Sequence, residues 1–466
     1  MTPGTGISSG IAAGHPATAE AGLEILSEGG SAADAAVAAS LASCVAETVM
    51  TGIAGGGHAI VFDAARRKTR LLDFFCAVPG VGLERERPEL VELAVPFGAE
   101  LVHYAIGIAS CAVPGVPAGL GALWEAAGTM PWPRLVEPAL RLAREGVVVP
   151  PAHASCLAML APVMTMREGE RIYAPRGKLL EAGERMHQPG LARALELLAD
   201  EGPASFGSGS LGRELLDLMD GRGGLVTASD LRAYRPTWSD PVETSYAGAR
   251  VATRGGLAGI AGALARLPAL SGATEAERAL ALCDALEGDT DPGETTNLTV
   301  VDPRGNACVV TTSLGLGSGD FLPGLDVHLN SMLGETDLLV GTLEPGERMP
   351  SMMAPTLAFR DDELVLAAGA AGGTRLRSAL VQVLGGVLDE GLAPQDAIDR
   401  PRLHPAADVV HLEPGFADEA VAALSGRARA VRVWPELHHF FGGVSALGTG
   451  GAGADPRRSG RALLFG

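Results

Sequence analysis

Lysine is nearly missing from this 466-residue chain, occurring only at positions 68 and 178. Arginine supplies the other basic residues, a bias that reads as genomic base composition because either cation serves a solvated surface. Basic residues of both kinds are outnumbered, 36 against 55 acidic ones, for a formal charge of −19. Such a chain has no electrostatic footprint for nucleic-acid phosphates and is repelled by anionic membrane surfaces. Aromatic residues make up only 4%, so the core must be built from Ala, Leu, Val and some of the 63 glycines. Small side chains let helices and strands approach closely, which points to tightly layered packing. No run of 18 apolar residues occurs, so no transmembrane helix is expected. Met1-Thr-Pro-Gly-Thr-Gly-Ile lacks a basic n-region and an apolar h-region, so a cytoplasmic protein without a signal peptide is expected. The six cysteines (44, 76, 111, 156, 283, 308) form no CxxC pair, which fits buried, reduced thiols rather than zinc or redox sites.

What is present reads as clustered helices and strands. Pro16 opens a helical stretch that closes at Gly29-Gly30. Ser31-Ala-Ala-Asp then begins a second helix with a capping-box start, small on nearly every face, as suits burial between layers. Residues 59–63 and 69–75 read as a hairpin, and 147–240 as mainly helical. From 271 to 294 the chain turns acidic and turn-rich, the signature of an exposed linker. Two strand–turn–strand units follow, at 295–313 and 356–368, and a helix from Thr374 to Asp389. Strands in clusters, rather than in βαβ alternation, predict an α+β fold of stacked antiparallel sheets flanked by helices.

Several chemical signals are weak. Gly448-Thr-Gly-Gly-Ala-Gly453 matches the dinucleotide pattern, but only 13 residues remain after it, too few for the required βαβ unit; a turn is the better reading. His438-His439 would face opposite sides of a strand and has no further ligand at metal spacing. No metal or cofactor is therefore expected. The junction Glu294-Thr295-Thr296 is more informative. A cut before Thr295 would give one residue both a hydroxyl nucleophile and a free α-amine, whose pKa near 7.7–8.0 lets it act as base. The competing reading is ordinary β-branched strand composition. Gly372-Gly373, between a strand and a helix, offers backbone N–H groups suited to an oxyanion, or simply close packing.

Together these segments resemble the γ-glutamyltransferase (glutathione hydrolase) family. The resemblance rests on Ile25 to Ala39, Thr51 to His58, Ala112 to Gly119, Thr295 to Asn306, Pro350 to Thr356, Ala371 to Arg375 and Ala454 to Arg458, in that order along the chain. It implies a four-layer αββα N-terminal-nucleophile sandwich, made as a precursor that cuts itself at Glu294–Thr295 into segments 1–294 and 295–466. Those two segments form one interwoven heterodimeric globule. The resemblance places the nucleophile at Thr295, a supporting hydroxyl at Ser313 and the oxyanion donors at Gly372 and Gly373. It puts a substrate-carboxylate contact at Ser351, and the region of the glutamyl-amine contact at Asn330 to Glu335, with Glu335 the counterpart.

The departures concern glutamate recognition. The family's Asp-Phe-Arg, whose Arg grips the glutamyl α-carboxylate, reads Asp73-Phe74-Phe75. Asn297 replaces the family's His, Met352 replaces its second serine, and only 48 residues separate Tyr246 from Thr295. Arg375 or Arg377 could supply a cation from the other side. The expectation is an acyl-transferring enzyme with weak γ-glutamyl recognition and a small-molecule substrate. The alternatives are a relative in antibiotic biosynthesis that cleaves a C–C bond beside a carbonyl, as in alkylproline pathways, and a non-catalytic scaffold.

Overall fold

The computed structural model describes residues 6–83, 88–97, 100–287, 295–335, 338–373, 375–406, 408–427 and 430–466. Glu294, on the upstream side of the expected cut, lies outside them, as does Thr374. Two antiparallel sheets stack face to face. The first has seven strands, in spatial order Arg461–Leu464, Gly10–Ala13, Thr296–Val301, Ala307–Ser313, Gly56–Asp63, Lys68–Phe74 and Thr237–Ser239. The second has six: Gly451–Ala454, Gly443–Gly448, Glu363–Ala371, Thr356–Arg360, Ala249–Thr253 and Val242–Tyr246. Strands from before residue 288 and from after residue 294 are thus neighbours in both sheets.

The core between the sheets is apolar at one end, where Ile60, Phe62, Val309, Leu357 and Phe359 interdigitate. Phe62 and Phe359 meet edge to face at 5.0 Å, the offset that ring quadrupoles favour. Helices cover the outer faces. On the first sheet, Ala32–Ala46 is buried on every side, and it can be because its side chains are nearly all small. Its N-terminus carries the expected capping box: Ser31 Oγ accepts from Asp34 N, while Asp34 Oδ2 accepts from Ser31 N. Arg375–Leu388 lies in the outer layer of the second sheet. The result is the four-layer αββα arrangement.

Two expectations are corrected here. Within the supposed linker, Glu275–Leu286 is a helix, capped by Thr274 in a box with Glu277. Ala279, Leu282, Cys283 and Leu286 recur at helical spacing and bury one face, a period that its acidic residues mask. His438 and His439 do not sit on a strand; His438 caps the 3₁₀ turn His439–Phe441 through its ring, which accepts from Phe440 N at 3.1 Å. Gly448–Gly453 is the bend between two paired strands, in keeping with the turn reading. Among the described residues no helix is long and apolar enough to cross a membrane, and all six cysteines are buried and outside any disulfide.

Candidate active site

At the polar end of the inter-sheet space, Thr295 enters its strand buried, 5% exposed. Gly372 donates its N–H to Thr295 Oγ1 at 2.6 Å. Gly372 follows the central strand of the second sheet at φ +122°, a conformation side chains rarely adopt, and a Cβ there would stand 2.8 Å from Gly442 Cα. Gly373 follows at φ +58°, so the two residues form a sharp bend before the Arg375–Leu388 helix. This bend sets a backbone N–H against the Thr295 hydroxyl.

The register of the first sheet fixes the rest of this row. Thr296 pairs with Thr312, Ser313 with Gly56, and Gly57 with Phe74. Continued by one residue, the same pairing lines up Thr295, Ser313, Gly56 and Phe75. Ser313 Oγ accepts from Gly315 N at 3.0 Å. Phe75 is buried and stacks on His58 with centroids 5.7 Å apart. Two residues on, the next row on the same face holds Asn297, whose Oδ1 accepts from Thr311 Oγ1 at 2.8 Å. Gly369 faces it across the sandwich; only glycine fits, since a Cβ would lie 2.1 Å from Asn297 Oδ1.

The remaining expected contacts separate into two groups. Ser351 is buried, its Oγ accepting from Met353 N at 3.3 Å. Glu335 is buried against Gly315 and Ser331. Asn330, by contrast, spends its whole amide on backbone. Its Nδ2 donates to Ala54 O and Ala112 O, and its Oδ1 accepts from Ala112 N and Met332 N. An amide has two donors and two acceptor sites, so Asn330 ties loops together and keeps no polar atom for a ligand. Arg375 donates to Phe440 O at 3.2 Å and lies over the Phe440 ring, and Arg377 donates to Leu286 O.

Sequence reasoning missed Glu47. This carboxylate, 1% exposed, closes the Ala32–Ala46 helix and accepts from Thr18 Oγ1 at 2.6 Å and from Thr296 Oγ1. With Thr295, Arg458 and His153 it lines a cavity of about 10 Å³, the size of one water. Burial pushes the Glu47 carboxyl up to about 7, against the Thr18 and Thr296 hydroxyls and the Arg458 charge, which lower it. Burial holds His153 down at about 3, so Arg458 is the cation in this group at neutral pH. The available signal was a lone acid at the end of a helix otherwise fit only for burial.

A raised carboxyl pKa means that the folded state holds its proton more tightly than the unfolded chain. The stability Glu47 contributes is present below its ordinary value of 4.5 and is lost as pH rises through about 7. Glu47→Gln removes that dependence. The variant's melting temperature should therefore rise relative to wild type between pH 5 and pH 8, and a constant difference across that range would refute the assignment.

A threonine heading a strand between two stacked sheets, with a glycine N–H on its hydroxyl and helices outside, defines the class of N-terminal-nucleophile hydrolases. Within that class, the chain belongs to the γ-glutamyltranspeptidase family, whose model matches residues 18–279 and 272–465. It is 28% identical to the Acylase ACY 1 proenzyme of Pseudomonas sp. (strain SE83), over 96% of this chain and 90% of that one. It is 26% identical to the glutathione hydrolase proenzyme of Bacillus subtilis (strain 168), over 89% and 84%. The cephalosporin acylase of Bacillus halodurans superposes with a TM-score of 0.82 at 25% identity, covering 99% of this chain and 96% of that one. The protein is thus a family enzyme of the hydrolase and acylase type.

Proposed function

We propose that the protein is a self-cleaving N-terminal-threonine hydrolase or acyltransferase whose substrate is not primarily a γ-glutamyl compound. The observation that carries the reading is the Gly372 N–H on Thr295 Oγ1, joined to an apolar Phe75 in the row where the resemblance expects a cation. Maturation starts when Thr295 Oγ attacks the Glu294 carbonyl. The C–N bond breaks, a C–O ester forms, and the hydroxyl proton passes to the Thr295 nitrogen. Water hydrolyses the ester, leaving segments 1–294 and 295–466 interwoven as a heterodimer. In turnover the freed α-amine takes the hydroxyl proton while Oγ attacks the substrate carbonyl. Gly372 and Gly373 donate to the oxyanion, with Ser313 supporting the nucleophile. The leaving group takes the proton, and water or an acceptor amine releases the acyl group. The six buried thiols are consistent with work in the cytoplasm.

Loss of a charge-assisted bond to a buried carboxylate costs roughly 1.5–3 kcal/mol, about 10–150-fold in binding. Wild type should therefore hydrolyse γ-glutamyl-p-nitroanilide weakly, and Phe75→Arg should raise kcat/KM toward that factor. Robust wild-type turnover would restore the ordinary family activity. A second reading follows from the same Phe75: the oxyanion donors also suit a tetrahedral ketone adduct, so C–C cleavage beside a carbonyl, of the kind used in antibiotic biosynthesis, is open to this site. A trapped acyl adduct on Thr295, sought by mass spectrometry, tests both.

A further inference from the structure

The polar end of the inter-sheet space holds a cation that no sequence motif pointed to. Arg254 follows the Ala249–Thr253 strand of the second sheet. Ala252 faces the inter-sheet core, and just past the strand end the Arg254 charge acts on His58 of the facing sheet. Its Nη1 donates to the carbonyl oxygen of Ser351, the residue expected beside a substrate carboxylate, and at 3.5 Å to Gly255 O. Burial lowers its pKa from the ordinary guanidinium value, offset in part by Asp73. Yet no carboxylate lies within 4.0 Å of it among the described residues, because Asp73 is taken by others. Arg348 Nε stands 3.3 Å from Asp73 Oδ1, and Phe75 N donates to the same oxygen at 2.9 Å.

A second observation falls on the facing sheet. His58 is fully buried, and neither ring nitrogen has a hydrogen-bond partner; Asp73 Oδ1, at 3.7 Å from Nδ1, is too far. Burial, then Arg254 and Arg348, hold this ring neutral. An unsatisfied buried polar group is unfavourable, and so is a partly buried cation without a counterion. Both liabilities sit in one place, beside Phe75, and a bound anion relieves the one at Arg254 directly.

We propose that Arg254, reaching from the second sheet, binds an anionic group on the substrate's acyl chain, in place of the cation that Phe75 replaces. The proposal rests on Thr295 as the nucleophile and names the acyl class that site takes. The position differs from the family's, so the preferred acyl group differs too. Thr253 Oγ1 meets Thr356 Oγ1 at 2.8 Å, and Thr356 pairs with Ala368 on the strand that leads to Gly372. Two strand spacings, about 10 Å, thus separate the strand carrying Arg254 from the strand carrying the oxyanion bend. A carboxylate bound at Arg254 is therefore several bonds from the carbonyl attacked by Thr295. An ω-carboxyacyl group fits, and an acetyl group or a long uncharged acyl group does not. No α-amine is needed at the far end.

Calorimetric titration of wild type with succinate, glutarate and adipate tests this, with valeramide as a chain of glutarate's length that carries no charge. At least one diacid should bind better than valeramide. Arg254→Gln should weaken that diacid roughly 10–150-fold and leave valeramide unchanged. Arg254→Lys, which keeps the charge but loses the fork, should fall between them. If Arg254→Gln does not fold, Arg254→Lys decides, because its diacid affinity must still drop selectively. Absence of diacid binding by wild type, or equal losses on diacid and valeramide, overturns the proposal. The nucleophile is checked separately by the Thr295 adduct. A missing adduct with intact diacid binding sinks that reading alone, and an adduct without diacid binding sinks this one alone.

Discussion

Thr295→Ala should run on a denaturing gel as one uncut chain, while wild type gives two bands of 294 and 172 residues (466 − 294). The same substitution should abolish turnover of any anilide that wild type accepts. Removing a catalytic nucleophile costs on the order of 10⁶ in kcat, and here the base disappears with it, because an uncut chain has no free amine at position 295. Gly372 N–H would then point at a methyl group, so the oxyanion donor survives without an attacking atom to serve. Thr295→Ser is the matching control. It keeps both hydroxyl and amine, so cleavage and activity should persist at reduced rate. A wild type that turns over substrate as a single 466-residue chain would show that another group is the nucleophile.

Much of this fold could be read from local pattern. The Ala32–Ala46 helix announces itself twice, by Ser31 and Asp34 at capping spacing and by a composition that tolerates burial on all sides. The hairpins at 56–74 and 356–371 follow from strand-forming runs broken by turn residues. Thr295 and Gly372 stand out as candidates because each is tied to a chain event, a turn-rich acidic stretch running into a strand and a strand running into a helix. Glu47 and Arg254 were not. Each is an ordinary charged residue in sequence, and its meaning arises only when strands distant in the chain face it. The capped helix in the supposed linker was hidden for the opposite reason, since a solvated acidic face obscured its buried period. His438 was misread because its ring caps the backbone of a turn, a local bond that overrides strand propensity.

The largest stability effect should come from Asp455, behind the Gly372-Gly373 bend. Its Oδ2 accepts from Arg402 Nη2 at 2.5 Å and from Val444 N at 2.9 Å, and its Oδ1 accepts from Arg457 N at 3.0 Å. Arg457 in turn grips Glu413 with two parallel bonds, and all four side chains are buried. Arg402 Nη1 reaches the carbonyls of Phe441 and Gly442 at 3.2 Å, and Gly442 is the residue packed against Gly372. Asp455→Ala leaves Arg402 buried without its carboxylate, which costs about 3–5 kcal/mol out of a total stability of roughly 5–15. The contrast is Glu24, which also meets two arginines, Arg134 and Arg141, but at the surface. Solvent screens that pair, so Glu24→Ala should cost only about 0–1 kcal/mol. Urea unfolding of the two variants measures the difference directly, and equal losses would mean that the buried network carries no special share. The pH dependence should agree. Burial alone would raise the Asp455 carboxyl, but Arg402 and Arg457 overcome it and hold the pKa below the usual 3.8. Its contribution is therefore full above that value and disappears as pH falls through the lowered one, on the acid side of any loss caused by Glu47. Because Arg402 also fixes the loop behind Gly372, Asp455→Ala should lower kcat even at temperatures where the variant stays folded.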